Sequence, residues 1–252
     1  MRNWVAGILL SSILCNPVFA QHDHVQIAQQ NMPAVVVVNV LKKDGGTFSG
    51  TGFILTQDGL MATSRHVLED ALYVNVTFNN AVVSGEAVPL AEQENTDLAL
   101  LKISAQNLPH VTLGNSDTVR PGQTITVIGN PRRLQNTVTS GIISQVRQKE
   151  DLIWHQISAP ISPSSSGSPI FDENGKVISI AFASMAGENN QNLNFAIPVN
   201  YLRELLTANG FSVEDPAPEE PTNPLWRHLQ KSWQISKRLF TRWFSKPQTV
   251  NP

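Results

Sequence analysis

The chain is almost devoid of cysteine: among 252 residues only Cys15 carries a thiol. That residue lies in an apolar N-terminal stretch, so no internal disulfide can form. A cysteine nucleophile and a cysteine-based metal site are excluded for everything downstream. A domain without bridges must be held by its own apolar core, which a chain of this length can supply. Charge is also sparse, at 15% of residues against 41% hydrophobic. That balance excludes a disordered polyelectrolyte and a multispan membrane protein alike. The apolar stretch 4–15 is too short to cross a bilayer comfortably. No internal repeat of fixed period is visible, which argues against a solenoid or other repeat array.

What the first twenty residues do contain is the pattern of a secretory signal peptide, residues 1–20. Arg2 provides a positive start, the apolar stretch follows, and Val18-Phe19-Ala20 forms a cleavage signal, with the cut after Ala20. A retained anchor fits less well. A lipoprotein fits worse, because Leu14 stands before Cys15 where a small residue is expected. The implied location is periplasmic or secreted.

Short β-rich runs separated by Gly, Asn, Asp and Pro occupy residues 34–41, 51–55, 71–78, 98–103, 123–128, 137–146, 152–158, 176–183 and 192–197. An apolar run from Leu60 reads as another strand, ending in small polar residues before His66. Their number and rhythm predict an all-β chain, with enough strands for two barrels. Helical patterning is confined to residues 25–31, 198–208 and a segment near the C-terminus. In the second, Val199, Leu202, Leu205 and Leu206 recur at helical spacing and Gly210 follows as a stop. Residues 21–211 therefore read as one folded domain. Residues 212–224 form an acidic, Pro-rich linker, residues 225–246 a separate amphipathic helix and residues 247–252 a disordered tail.

Three positions carry candidate chemistry. Ser166 lies in Ser164-Ser165-Ser166-Gly167-Ser168-Pro169, a small-residue loop that leaves a hydroxyl accessible and lets backbone amides converge. His66 stands at the end of its strand, and Asp97 leads directly into the apolar run Leu98-Ala99-Leu100-Leu101. Each alone has a plainer explanation. A Ser/Gly/Pro run is usually a surface turn, a lone histidine at a strand end is usually structural, and an aspartate at a strand entry is usually a turn residue. Together they supply a hydroxyl, a base to take its proton and a carboxylate to orient the base. They stand in the order His, Asp, Ser, which is one of three known arrangements of that set.

The segments Thr63-Ser64-Arg65-His66-Val67, Thr96-Asp97-Leu98-Ala99-Leu100-Leu101 and Ser165-Ser166-Gly167-Ser168-Pro169 resemble the three signatures of trypsin-like serine proteases. Similarity to the bacterial HtrA branch extends through Ser49-Gly50-Thr51-Gly52-Phe53-Ile54, Thr139-Ser140-Gly141-Ile142-Ile143-Ser144, Ala159-Pro160-Ile161-Ser162-Pro163 and Asn194-Phe195-Ala196-Ile197-Pro198. The resemblance implies two six-stranded antiparallel β-barrels with short helices, and a cofactor-free, metal-free exported endopeptidase acting on proteins or peptides. It also implies His66 as general base, Asp97 as its orienting group and Ser166 as nucleophile. The backbone amides of Ser164 and Ser166 become the oxyanion hole. Position 164 departs from the family pattern, which has glycine there. Loss of one oxyanion donor lowers the rate on the order of a hundredfold, so the alternative expectation is a catalytically weak or silent peptide-binding barrel. Pro160 stands where a preference for Lys or Arg requires an acid. Ile161, Ala181 to Ala183, and Phe195 to Ile197 then make a small or apolar substrate pocket.

The HtrA resemblance usually brings a PDZ domain, and the forty or so C-terminal residues look unlike one. Instead, Leu225, Trp226, Leu229, Trp233, Leu239, Phe240, Trp243 and Phe244 share one side of a helical wheel, with Ile235 the exception. Arg227, Lys231, Arg238, Arg242 and Lys246 lie opposite, and Lys237 lies near the border. Residues 223–252 hold six basic and no acidic side chains, whereas residues 21–222 carry a net charge near −9. Such a helix fits the plane of an anionic membrane surface. It fits equally a partner protein or subunit, or the acidic barrel of its own chain. The export signal argues against nucleic acid, and no pattern specifies an oligomeric state.

Overall fold

The computed structural model describes residues 23–78, 84–131, 136–149, 151–184 and 193–213. The expected signal peptide, most of the linker, the C-terminal amphipathic helix and the tail lie outside these residues. The chain opens with α1 (His24–Asn31), capped by the Asp23 carboxylate, which accepts from Gln26 N at 2.8 Å. Six strands follow: β1 (Val35–Lys42), β2 (Thr47–Ile54), β3 (Leu60–Ser64), β4 (Ala71–Thr77), β5 (Ser84–Gln93) and β6 (Leu98–Ile103). They close antiparallel in the order β1-β2-β3-β6-β5-β4. The consecutive residues Val35 to Val38 of β1 and Leu98 to Leu101 of β6 are all buried, so both faces of these strands are covered, one inside the closed barrel and the other by packing outside it.

The second barrel is built from β8 (Thr124–Gly129), β9 (Thr137–Lys149), β10 (Leu152–Ile157), β11 (Pro169–Phe171), β12 (Lys176–Ser184) and β13 (Asn194–Pro198). Pairing of β11 with both β8 and β12 closes the ring, and the two-residue β7 (Thr112–Leu113) adds to β12 in parallel. The chain ends its described course in α2 (Val199–Ala208), whose Val199, Leu202, Leu205 and Leu206 are buried at the expected spacing. Two closed six-stranded antiparallel barrels and few short helices are therefore the architecture the sequence predicted.

Three strands have no counterpart among the expected runs. Strand β5 is broken by Pro89, which the barrel accommodates at a register shift against β6 between Pro89 and Ala91. Strands β7 and β11 are too short for any periodicity and exist only because the second sheet supplies partners.

Candidate active site

Strands β3 and β6 are antiparallel neighbours with Ser64 opposite Leu98. The residues just past Ser64 must therefore meet the residue just before Leu98. A 3-10 turn begins at that point (Arg65–Leu68) with His66 as its second residue, and Asp97 sits opposite. Asp97 adopts a positive φ of 53°, a region that aspartate tolerates better than most residues. Its carbonyl accepts from Arg65 N at 2.9 Å, and its carboxylate accepts from His66 N at 2.9 Å through Oδ1. The other carboxylate oxygen lies 2.6 Å from His66 Nδ1. With the proton on Nδ1, the imidazole donates to the carboxylate and its Nε2 lone pair is turned outward. The side chains are 36% and 12% exposed, so the ring is accessible while the carboxylate is covered.

Ser166 arrives from the other barrel on two consecutive turns. In the first, Ser165 N donates to Ser162 O at 2.9 Å, with Pro163 second and Ser164 third at φ +74°. In the second, Ser168 N donates to Ser165 O at 3.0 Å, with Ser166 second and Gly167 third at φ +84°. A positive φ at the third residue marks both as type II. Gly167 is irreplaceable here on two counts. Its φ suits glycine, and an added Cβ would lie 2.1 Å from Thr51 O and 2.6 Å from Thr63 Oγ1. The loop is seated on the first barrel, where Thr51 N donates to Ser166 O at 2.9 Å.

Within this loop Ser165, Gly167 and Ser168 spend their amides on Ser162 O, Ala181 O and Ser165 O. The amides of Ser164 and Ser166 have no hydrogen-bond acceptor among the described residues. The hydroxyl of Ser166 donates to Phe182 O at 3.4 Å, and the Phe182 ring stands edge-on to His66 with centroids 6.4 Å apart. Ser166 and His66 are thus joined through Phe182, with no direct hydrogen bond between them. The arrangement offers an oriented imidazole, a half-exposed hydroxyl and two uncommitted amide donors in one place.

The profile described as the trypsin-like peptidase domain matches residues 50–180, a span containing His66, Asp97 and Ser166. The chain belongs to the trypsin-like peptidase family. Within that family it is similar to HtrA-type proteins. It is 40% identical over 158 residues to a Chlamydia trachomatis protein named as a DegP-like periplasmic serine endoprotease, covering 59% of this chain and 31% of that one. It is 31% identical over 208 residues to serine protease HTRA1B of Danio rerio, covering 76% and 43%. Among solved structures, the HtrA-type protease AlgW with a tripeptide aligns at TM-score 0.69 and 31% identity, over 74% of this chain and 63% of that one. The serine endoprotease from Yersinia pestis aligns at 0.67 and 30%, over 74% and 66%. The chain spans less than half the length of the curated relatives it matches.

In this trypsin-like peptidase, the residues expected to wall the substrate pocket differ in access. Pro160 is exposed, Ile161 and Phe195 are half-buried, and Ala181 and Ile197 are buried. Ala183 pairs with Phe195 in the sheet. Sequence reasoning missed Trp154, which meets Phe182 and Phe195 edge-on, at 5.6 and 5.8 Å between centroids. The only sequence signal for Phe182 was its place between Ala181 and Ala183. Among the described residues no group of three or more His, Cys, Asp and Glu side chains is placed to hold a metal ion.

Proposed function

We propose that the chain is an exported serine endopeptidase that cleaves proteins or peptides through an acyl-enzyme, with His66, Asp97 and Ser166 as its triad. The observation that carries this reading is the pair of uncommitted amides at Ser164 and Ser166 beside the His66–Asp97 bond. In this reading the Ser166 hydroxyl leaves Phe182 O and donates to His66 Nε2, a bond that commonly tightens only with substrate in place. His66 takes the hydroxyl proton as Oγ attacks the scissile carbonyl carbon. The oxyanion formed is held by the two amides. His66, stabilised as imidazolium by Asp97, then protonates the departing amine. Water, deprotonated by the same imidazole, releases the acyl group and restores the serine. The half-buried apolar surface of Ile161, Phe182 and Phe195 suits an aliphatic or small residue before the scissile bond rather than Lys or Arg. The solved structure of the HtrA-type protease AlgW with a tripeptide supports proteins or peptides as the substrate class.

A fluorophosphonate probe tests the chemistry: labelling of the folded protein that disappears in Ser166→Ala is the expected result. A second reading, a peptide-binding barrel that does not cut, is favoured by the missing Ser166–His66 bond and the strained Ser164. Well-folded protein that resists the probe decides for it. The periplasmic names of relatives and the leader pattern support a periplasmic location. The basic, tryptophan-bearing segment from Leu225 to Lys246 supports association with an anionic membrane surface. Flotation of the full chain with anionic liposomes, lost on deletion of residues 225–252, is the expected outcome. Its absence leaves a partner protein as the target of that segment.

A further inference from the structure

Two arms of chain lead away from Ser166. One is the chain that precedes it, running back through Ser162 and Ile161 to Ala159. The other is β12, where Phe182 O accepts from the Ser166 hydroxyl and Ala183 and Ser184 follow. The arms meet again at one residue. Asn194, the first of β13, pairs with Ser184 on one side and with Ile157, the last residue of β10, on the other. Its side-chain Nδ2 donates to Ala159 O at 2.8 Å. That carbonyl can only accept, which fixes the orientation of the carboxamide. A closed circuit therefore runs from Ser166 along both arms to Asn194, and the carboxamide lies across its far end.

Neither arm is free to step aside. Strands β9 and β13 flank β10 in the sheet, and both reach past its end. From β9, Ile142 O accepts from Ser158 N at 3.0 Å, and Ile142 N donates to Ser158 Oγ at 2.9 Å. Thr139 Oγ1 donates to Pro160 O at 3.3 Å. Gly141 comes so close that a Cβ there would lie 2.5 Å from Ala159 N. From β13, Asn194 holds the carbonyl of the same Ala159. The second arm is tied by Ala181, whose N donates to Ser168 O and whose O accepts from Gly167 N, both at 2.8 Å. Ala159 is completely buried and Asn194 is 5% exposed, so the bond between them is sheltered from water and costly to break.

We propose that Asn194 is a specificity-determining residue: its carboxamide closes the floor of the pocket beside Ser166 and restricts the residue before the scissile bond to small side chains such as alanine and valine. The inference rests on the serine-protease reading and narrows the side chain which that reading accepts. Apolar walls at Ile161 and Phe195 alone would also admit a phenylalanine. A polar amide locked between two fixed arms limits the depth, and a bulky side chain reaching it must break the bond to Ala159 O.

The test compares labelling rates of the full chain with peptidyl phosphonate probes that present alanine, valine or phenylalanine at the reacting centre. The wild-type protein is expected to react with the alanine and valine probes about tenfold faster than with the phenylalanine probe. Asn194→Ala is expected to raise the phenylalanine-to-alanine rate ratio about tenfold. The ratio separates the two roles a buried asparagine can have, because a merely structural defect slows all three probes alike. A wild-type preference for phenylalanine, or a ratio unmoved in N194A, overturns the proposal. Should N194A not fold, Asn194→Ser takes its place with an expected rise of about threefold, and an unmoved ratio there counts equally against the floor. If the wild-type protein resists all three probes, a small alkyl fluorophosphonate shows whether the protease reading itself fails. The crystal structure of the folded variant then decides this proposal. A cavity opened beside Ala159 O and continuous with the cleft at Ser166 upholds it, and a cleft of unchanged depth overturns it.

Discussion

The two halves of the site are built by different means. His66 and Asp97 belong to adjacent strands of one barrel, and the β3–β6 register alone brings them within 2.6 Å. Ser166 stands on a loop of the other barrel made of two linked turns, and three of its neighbours bear a defect or a tight constraint. Ser164 is strained at φ +74°, Gly167 admits no side chain, and Ser168 Oγ is buried with no hydrogen-bond partner among the described residues. The first barrel assembles its own pair and also holds the second barrel's loop, through Thr51. A site divided in this way derives its geometry from the sheet on one side and from a few hydrogen bonds on the other.

The largest test of that contrast falls on the rigid half. Asp97→Asn preserves the shape but favours the wrong imidazole tautomer, and it is expected to lower the labelling rate on the order of ten-thousandfold. A loss below tenfold breaks the claim that the strand register supplies an oriented base. On the loop side, Gly167→Ala forces a Cβ against Thr51 O and displaces Ser166. A shift of about an ångström there is expected to cost on the order of a hundredfold in rate. A near-native rate shows the loop to be more compliant than its contacts imply.

The next effect is on stability and lies inside the second barrel, where His155 and Ser179 are both buried with Nδ1 and Oγ 2.6 Å apart. Burial pushes His155 down from 6.5 to about 4. Between those two values the unfolded chain binds a proton that the folded chain does not. Stability is therefore full above the higher value and falls as pH drops toward the lower one, by at most about 3 kcal/mol. Denaturant unfolding at pH 7, 5.5 and 4 reads this loss, and His155→Gln, which cannot titrate, is expected to flatten it. Asp172 works in the opposite sense, because burial holds its carboxyl above the ordinary value and its contribution declines as pH rises. The smallest expected effect is Ser168→Ala. Removing the orphaned hydroxyl raises stability by about 1 kcal/mol, or roughly 2 to 4 °C in thermal midpoint. A lowered midpoint shows that this hydroxyl has a partner after all.

The barrels were legible wherever strands carry runs such as Val35 to Val38 or Leu98 to Leu101, because burial on both faces leaves a continuous apolar record. Strand β5 left none, since Gly85 and Pro89 contradict strand propensity and only the register shift reconciles them with the sheet. The three side chains proposed as the triad were picked out through their neighbours in sequence. Thr51 and Phe182 were not recognised in their roles, because each acts on residues more than a hundred positions away or through a carbonyl whose direction no residue type encodes.

By itself the sequence determined which chemical groups exist: one imidazole, one carboxylate and one hydroxyl at strand ends, a serine in place of glycine at 164, and no cysteine beyond Cys15. Tertiary structure decided which of them meet. Register joined His66 to Asp97, and barrel-to-loop hydrogen bonds seated the loop in which the amides of Ser164 and Ser166 have no acceptor among the described residues. The reason is that composition and local propensity act over a few residues. The seat of a loop is set by contacts from strands distant in sequence, as the bonds from Thr51 to Ser164 O and Ser166 O are.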